Sequence, residues 1–117
     1  MNKKNFWILI LMLIILVTVE AAVATEVLVT NFPEDKVSLI DTETEEITDI
    51  SVDNGPSKIA LTSDSALAVV TNTLGNTASV ISLEKRAVLD DVEVGEEPIG
   101  VTITPNHKFA LVANSKS

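Results

Sequence analysis

His107 is the chain's only histidine, so it is the first residue to test for acid–base or nucleophilic chemistry. A catalytic serine needs a histidine within hydrogen-bonding reach, and that histidine is in turn oriented by a carboxylate. No recognised sequence motif places His107 between a serine and a carboxylate. It occupies a turn, Pro105-Asn106-His107. The sequence therefore predicts a solvated turn residue and no catalytic residue.

Carboxylate side chains are the second kind of group that could form a functional site. They occur in three clusters: Glu43/Glu45/Glu46, Asp90/Asp91/Glu93 and Glu96/Glu97. Calcium binds such oxygens, but the chain has no Asp-x-Asp-x-Asp-Gly loop. It also has no glycine-rich loop of the kind that cradles phosphate. We expect these clusters to be solvated loops and outer strands, where charge discourages edge pairing. The predictions are no metal site, no cofactor and no enzymatic activity.

The net charge and the cysteine content argue against further kinds of partner and of site. The formal net charge is −9, and without residues 1–24 the chain keeps 6 basic and 16 acidic side chains, a net charge of −10. Such a surface repels phosphate backbones, so nucleic acid is not expected as a partner. The absence of cysteine excludes disulfides and thiolate metal sites.

Residues 1–24 have the pattern of a secretory signal peptide. Lys3 and Lys4 precede a 14-residue apolar run, residues 6–19, in which only Thr18 is polar. Ala22 and Ala24 are small residues suited to signal peptidase, which predicts cleavage before Thr25. The alternative is an uncleaved membrane anchor through residues 6–19, although a spanning helix needs about 20 apolar residues. Either case predicts export to the cell surface, the periplasm or the medium.

An internal repeat organises the remaining chain. Residues 56–72 recur as residues 98–114, with five of 17 aligned positions identical. A shorter copy, residues 27–31, aligns with residues 68–72 and 110–114. A unit of about 40 residues that contains several short strands is typical of a propeller blade. Asn31, Asn72 and Asn114 end the same strand of each unit, which predicts a repeated structural cap.

The hydrophobic pattern after residue 24 predicts short strands joined by turns and no helix of useful length. Residues 66–72 are nearly all apolar, which predicts cover on both faces. Turns are expected at residues 32–35, which contain Pro33, and at residues 53–56 and 95–98, where glycine and proline occur together. The predicted strands are residues 26–31, 37–41, 47–52, 57–62, 66–72, 78–83, 87–94, 99–104 and 109–114.

Three copies of one motif give the chain a family resemblance. Residues 28–31 (LVTN), 69–72 (VVTN) and 111–114 (LVAN) resemble the signature of YVTN-type β-propeller repeats. The VSLID segment at residues 37–41 resembles the strand that follows this signature. The resemblance covers residues 26–114, although Leu28, Val69 and Leu111 replace the signature tyrosine. It implies an all-β fold of antiparallel four-stranded blades.

The sequence predicts fewer blades than a closed propeller needs. Residues 25–117 are expected to form a partial propeller: blade 1 within residues 26–52, blade 2 within 57–94 and a partial blade 3 within 99–115. Closed propellers have about four to eight blades. Three interpretations follow. The chain is a truncated propeller, or copies join head to tail with strand 99–104 completing the next chain's first blade, or the chain packs on another protein.

The sequence therefore predicts an exported, non-enzymatic repeat protein that acts as an interaction or scaffold module at the cell surface or in the envelope. Its partners would be proteins, or further copies of itself, bound through exposed blade faces. The alternative is a fragment or subunit of a propeller enzyme of the lactonase-like or redox-cofactor type, whose repeats look similar.

Overall fold

The computed structural model describes residues 25–116, which fold into nine antiparallel strands in three sheets. Within each sheet, every strand pairs with the next along the chain, so each sheet is an antiparallel meander. Residues 1–24, to which the signal-peptide prediction applies, lie outside the described residues. Blade 1 contains β1 (Glu26–Asn31), β2 (Lys36–Asp41) and β3 (Ile47–Ser51); blade 2 contains β4 (Pro56–Leu61), β5 (Leu67–Asn72), β6 (Thr77–Ser82) and β7 (Ala87–Glu93); blade 3 contains β8 (Glu96–Ile103) and β9 (Ala110–Lys116).

Most predicted strands are confirmed to within one residue, and the main error lies at β8. Gly95–Pro98 was predicted as a turn, but β8 already begins at Glu96, which pairs with Lys116. Two features explain the longer strand. The Lys116 ammonium lies 2.6 Å from a carboxylate oxygen of Glu97, and a bulge after Pro98 accommodates its missing N–H within the strand. Pro56 begins β4 with the same bulge.

Aliphatic side chains between blades 1 and 2 form the core. Because strand side chains alternate between faces, Val37 and Leu39 of β2 point to one side of blade 1 while Ile40 points to the other. Blade 2 presents Val70 and Ile81 to the same interface. The buried cluster comprises Val37, Leu39, Ile50, Ala68, Val70, Ile81 and Leu83, with Leu28, Val52, Ile59 and Val88 packed against it.

The opposite face of blade 2 packs on blade 3. Val69, Thr71 and Ala78 lie on this face and are buried, and β8 contacts both β4 and β5. Strand β5 is therefore covered on both faces, as its largely apolar sequence predicted. Only its first residue, Leu67, is partly exposed.

The two junctions between blades use the same polar contacts. Asp35 Oδ1 accepts a hydrogen bond from the Gly55 N–H at 2.9 Å, and Asn76 Oδ1 accepts one from the Glu97 N–H at 3.0 Å. Asp35 and Asn76 occupy equivalent repeat positions, and both adopt left-handed backbone, with φ of 51° and 56°. Asx side chains favour this conformation, so the same local geometry sets the start of each successive blade.

Substituting Leu39 with alanine tests the interface between blades 1 and 2. Leu39 is fully buried, so L39A should lower the free energy of unfolding by about 2–5 kcal/mol. The matched control is L89A on β7, where the leucine is 51% exposed; it should change stability by less than about 1 kcal/mol. Urea unfolding followed by circular dichroism measures both values. Equal effects of the two substitutions would contradict this packing.

Candidate interaction surfaces

The outer face of blade 1 carries aliphatic side chains that have no blade packed on them within the described residues. Val27 and Val29 of β1 occupy the same repeat positions as Ala68 and Val70 of β5. Ala68 and Val70 are fully buried, whereas Val27 and Val29 are 42% and 44% exposed. Strand pairing places Ile40 and Ile47 beside Val27 on the same side. We call this surface the leading face: Val27, Val29, Ile40 and Ile47.

Blade 3 has the complementary feature on its far side. Leu111 of β9 is equivalent to Val69 of β5, yet it is 59% exposed where Val69 is only 7% exposed. Strand pairing places Thr102 opposite Leu111 and Gly100 opposite Ala113. We call this surface the trailing face: Gly100, Thr102, Leu111 and Ala113. Its reverse side carries the half-buried Val101 and Val112.

Asn72 is the predicted cap that the structure buries most deeply. Its amide Nδ2 donates to Thr77 Oγ1 at 3.0 Å and to Ser79 Oγ at 2.8 Å. Those hydroxyls donate in turn to Asp53 and Asp91. Because each hydroxyl gives its proton to a carboxylate, it must accept from Asn72, which fixes the orientation of the amide. The Asn72 Oδ1 atom is buried without a partner in the described residues.

The three asparagines share a repeat position but not an environment. Asn72 and Asn114 pair with equivalent prolines, Pro56 and Pro98. Asn31 and Asn72 each end a strand, whereas β9 continues past Asn114 to Lys116. Asn72 is buried because β6 supplies Thr77 and Ser79 beside it. Asn114 is exposed, since within the described residues no third strand pairs with β9.

A serine–histidine–aspartate contact joins the turns of blades 2 and 3, which sequence reasoning missed. His107 Nε2 accepts a hydrogen bond from the Ser63 N–H at 3.1 Å and lies 2.5 Å from Ser63 Oγ. The other ring nitrogen, Nδ1, is 3.7 Å from Asp64 Oδ2. The repeat contained a signal for this contact: Ser65 and His107 occupy the same left-handed turn position, with φ of 57° and 58°. Stacked blades bring such turns side by side.

The surroundings of this cluster favour a structural contact between two turns over a catalytic site. Ser63, Asp64 and His107 all lie on exposed turns. Asp64 Oδ1 is held by the Thr62 hydroxyl at 2.6 Å and the Ala66 N–H at 3.0 Å. These bonds, with the Thr62 contact strongest, lower the pKa of Asp64. Nucleophilic catalysis depends on donors preorganised around a developing oxyanion in a site from which water is excluded, whereas these turns face solvent.

The acidic clusters are structural or solvated where the structure describes them. Glu43, Glu45 and Glu46 lie exposed in the β2–β3 hairpin. In the other clusters, Asp91 binds Ser79 and Glu97 binds Lys116 and Ser115. Among residues 25–116, no three histidine or acidic side chains are grouped in a way that could hold a metal ion. No helix in this part of the chain is long and apolar enough to cross a membrane.

Comparison with solved structures places the fold. Kuenenia stuttgartiensis hydrazine synthase is 28% identical over 77% of this chain, with a TM-score of 0.73. A functionally unknown protein from Desulfotomaculum acetoxidans is 17% identical over 76% of the chain, with a TM-score of 0.67. Dihydro-heme d1 dehydrogenase NirN, solved in complex with DHE, is 15% identical over 74%, with a TM-score of 0.68. The fold is β-propeller-like.

The similarity to these three proteins covers only a part of each of them. The chain spans 26%, 31% and 19% of the lengths of those three proteins. No protein-family model and no curated protein matches the sequence. The specific YVTN assignment therefore remains a prediction.

Substituting Asn72 with alanine tests the buried polar network. N72A removes the donor to Thr77 and Ser79, so the free energy of unfolding should fall by about 1–3 kcal/mol. N114A, the same change at the exposed equivalent position, should alter stability by less than about 0.5 kcal/mol. Chemical denaturation of both variants measures the difference. A comparable loss in N114A would show that the asparagine acts within its own strand pair and not through this network.

The pH dependence of stability tests the Asp64 turn. The lowered pKa of Asp64 means that the unfolded chain binds this proton more tightly than the folded chain does. The contribution of Asp64 is therefore complete above its ordinary pKa of 3.8 and is lost as the pH falls through the lower folded value.

The D64N variant is the matched comparison, because Asn106 already makes the same contacts in blade 3, to Thr104 Oγ1 at 2.6 Å and the Lys108 N–H at 3.1 Å. It should fold normally and lose less stability than wild type between about pH 5 and pH 2. The midpoints of urea unfolding, measured for both proteins across this pH range, give the two losses of stability. Parallel acid profiles for the two proteins would refute the assignment.

Proposed function

We propose that this chain is an exported, non-enzymatic interaction module of the propeller-repeat type, which binds protein through the leading and trailing faces. One observation carries the proposal. Repeat positions that are buried between neighbouring blades are exposed at both outer faces of the described residues, as Val29 against Val70 illustrates. Contiguous exposed apolar surface of this kind marks interaction sites in soluble proteins. The YVTN-type repeat is part of the same proposal.

Export rests on the sequence of residues 1–24, with its basic start, apolar run and small residues before Thr25. The acidic charge adds support for a protein partner over a nucleic acid. The proposed location is the cell surface, the periplasm or the medium. Contact with membrane would involve only residues 6–19, and only while the signal is uncleaved.

A second candidate is a part of a propeller enzyme, and the similarity to hydrazine synthase favours it. In that case the catalytic groups would lie on inter-strand loops of further blades, in a lactonase-like or redox-cofactor arrangement. In-frame repeats downstream of residue 117 that carry additional His, Asp or Arg in these loops would support the enzyme. Otherwise the interaction module accounts better for the apolar faces.

Export and binding can be tested together in intact cells that express the full chain. The wild-type protein should be recovered outside the cytoplasm with Thr25 at its N-terminus. L13R, which places a charge within the apolar run, should remain inside. Detection of both proteins only in the cytoplasm would refute export.

Binding is tested with a photoreactive benzophenone attached through cysteine to the otherwise cysteine-free chain. On the exported protein, V29C or L111C should give protein adducts after illumination. L89C, on an exposed outer strand, should give none. Absence of adducts at both faces would refute the interaction module.

A further inference from the structure

We infer that the leading face of one copy of this chain binds the trailing face of a second copy. The inference rests on the proposed function and names its partner. These two faces correspond to the two sides of an interface that the chain already makes within itself.

The internal interface supplies the template. On the blade 1 side, Leu28, Leu39 and Ile50 contact blade 2, and on the blade 2 side Ala68 and Val70 contact blade 1. The leading face repeats the second half, since Val27 and Val29 are equivalent to Ala68 and Val70. The trailing face repeats the part of the first half that lies on the second strand of a blade, because Leu111 occupies the same repeat position as Leu28. The counterparts of Leu39 and Ile50 would lie on strands that blade 3 does not contain within the described residues. Leu111 of one copy would therefore cover Val27 and Val29 of the next.

The exposures show that neither face has a sheet packed over it within residues 25–116. Val29 and Leu111 are 44% and 59% exposed, whereas Val70 and Val69, their equivalents inside the stack, are 0% and 7% exposed. Burying aliphatic surface contributes about 25 cal/mol per Å². The second junction, between blades 2 and 3, shows that this stacking is already used twice in one chain.

The contact is face to face and not an exchange of strands. Completion of the next chain's first blade by β8 would require the edge of β8 that already pairs with β9 from Glu96 to Ile103. The two faces also differ from each other, so a contact between them joins unlike surfaces of the two copies. Such heterologous contacts join copies head to tail into rings or filaments.

The charge of the chain predicts how the association responds to salt. Each copy carries a formal charge of −9, so copies repel one another at low ionic strength. Added salt screens this repulsion, while the apolar contact is retained. Association should therefore strengthen as sodium chloride rises from about 10 mM to about 300 mM.

Disulfide trapping tests the proposal on the full chain, which has no cysteine of its own. The double variant V29C/L111C places one thiol on each outer face, so a disulfide between these two positions links two copies. Oxidation should give a ladder of multimers on non-reducing gels. The single variants should give none, and L89C/L111C is the control with one thiol on an exposed outer strand. V27C/T102C, on the same two faces, is the second pair.

Each outcome decides the matter. Multimers from V29C/L111C or V27C/T102C, absent from the single variants and the control, support the head-to-tail contact. A dimer from V29C alone would show a leading-to-leading contact and overturn it. The absence of multimers from both pairs also overturns it.

The benzophenone adducts then separate this failure from that of the proposed function. Adducts with another protein, without multimers, would leave the interaction module standing and reject self-association. An adduct with residues 1–24 of the same chain would also reject it. The absence of adducts and of multimers would reject both.

Discussion

The structure depends on the packing of aliphatic faces between neighbouring blades. A single sheet of short strands buries one face at most, and each blade here relies on its neighbour for the rest. Leu39 and Val70 are fully buried because blade 1 and blade 2 cover one another. With few aromatic residues in the chain, this packing uses Val, Ile, Leu and Ala, whose branched members suit the pleated surface.

Polar contacts decide how the stacked sheets are placed relative to one another. The Asp35–Gly55 and Asn76–Glu97 bonds recur at the two junctions. Apolar packing is non-directional, so the orientation has to come from hydrogen bonds at the edges. The network around Asn72 has the same role inside blade 2, where it links β5 to β6 and, through Asp91, to β7. The Ser63–His107 contact belongs to this group, since it joins adjacent turns.

The positions of the charged, polar and apolar side chains favour an interaction role. Within residues 25–116, the carboxylates are either engaged in turns and strands or solvated, and the one histidine links two turns. What remains without cover is apolar surface on the two outer sheets of the described residues. Solved structures with this fold include enzymes, but the chain corresponds to less than a third of each, so their activities are not transferred to it.

The sequence by itself determined the strands, their order and the repeat, because alternation of side chains and turn residues are local properties. It identified His107 as a turn residue and Asn72 as a repeated cap.

Tertiary structure decided what those residues touch. Asn72 and Asn114 are equivalent in sequence, yet within residues 25–116 only Asn72 has a third strand beside it. Val70 and Val29 are likewise equivalent, and in the same range only Val70 has a blade packed over it. The start of β8 at Glu96 likewise depends on Lys116, at the far end of the next strand. Periodicity records which face a side chain occupies, but burial depends on what lies against that face, and this is set by parts of the chain distant in sequence.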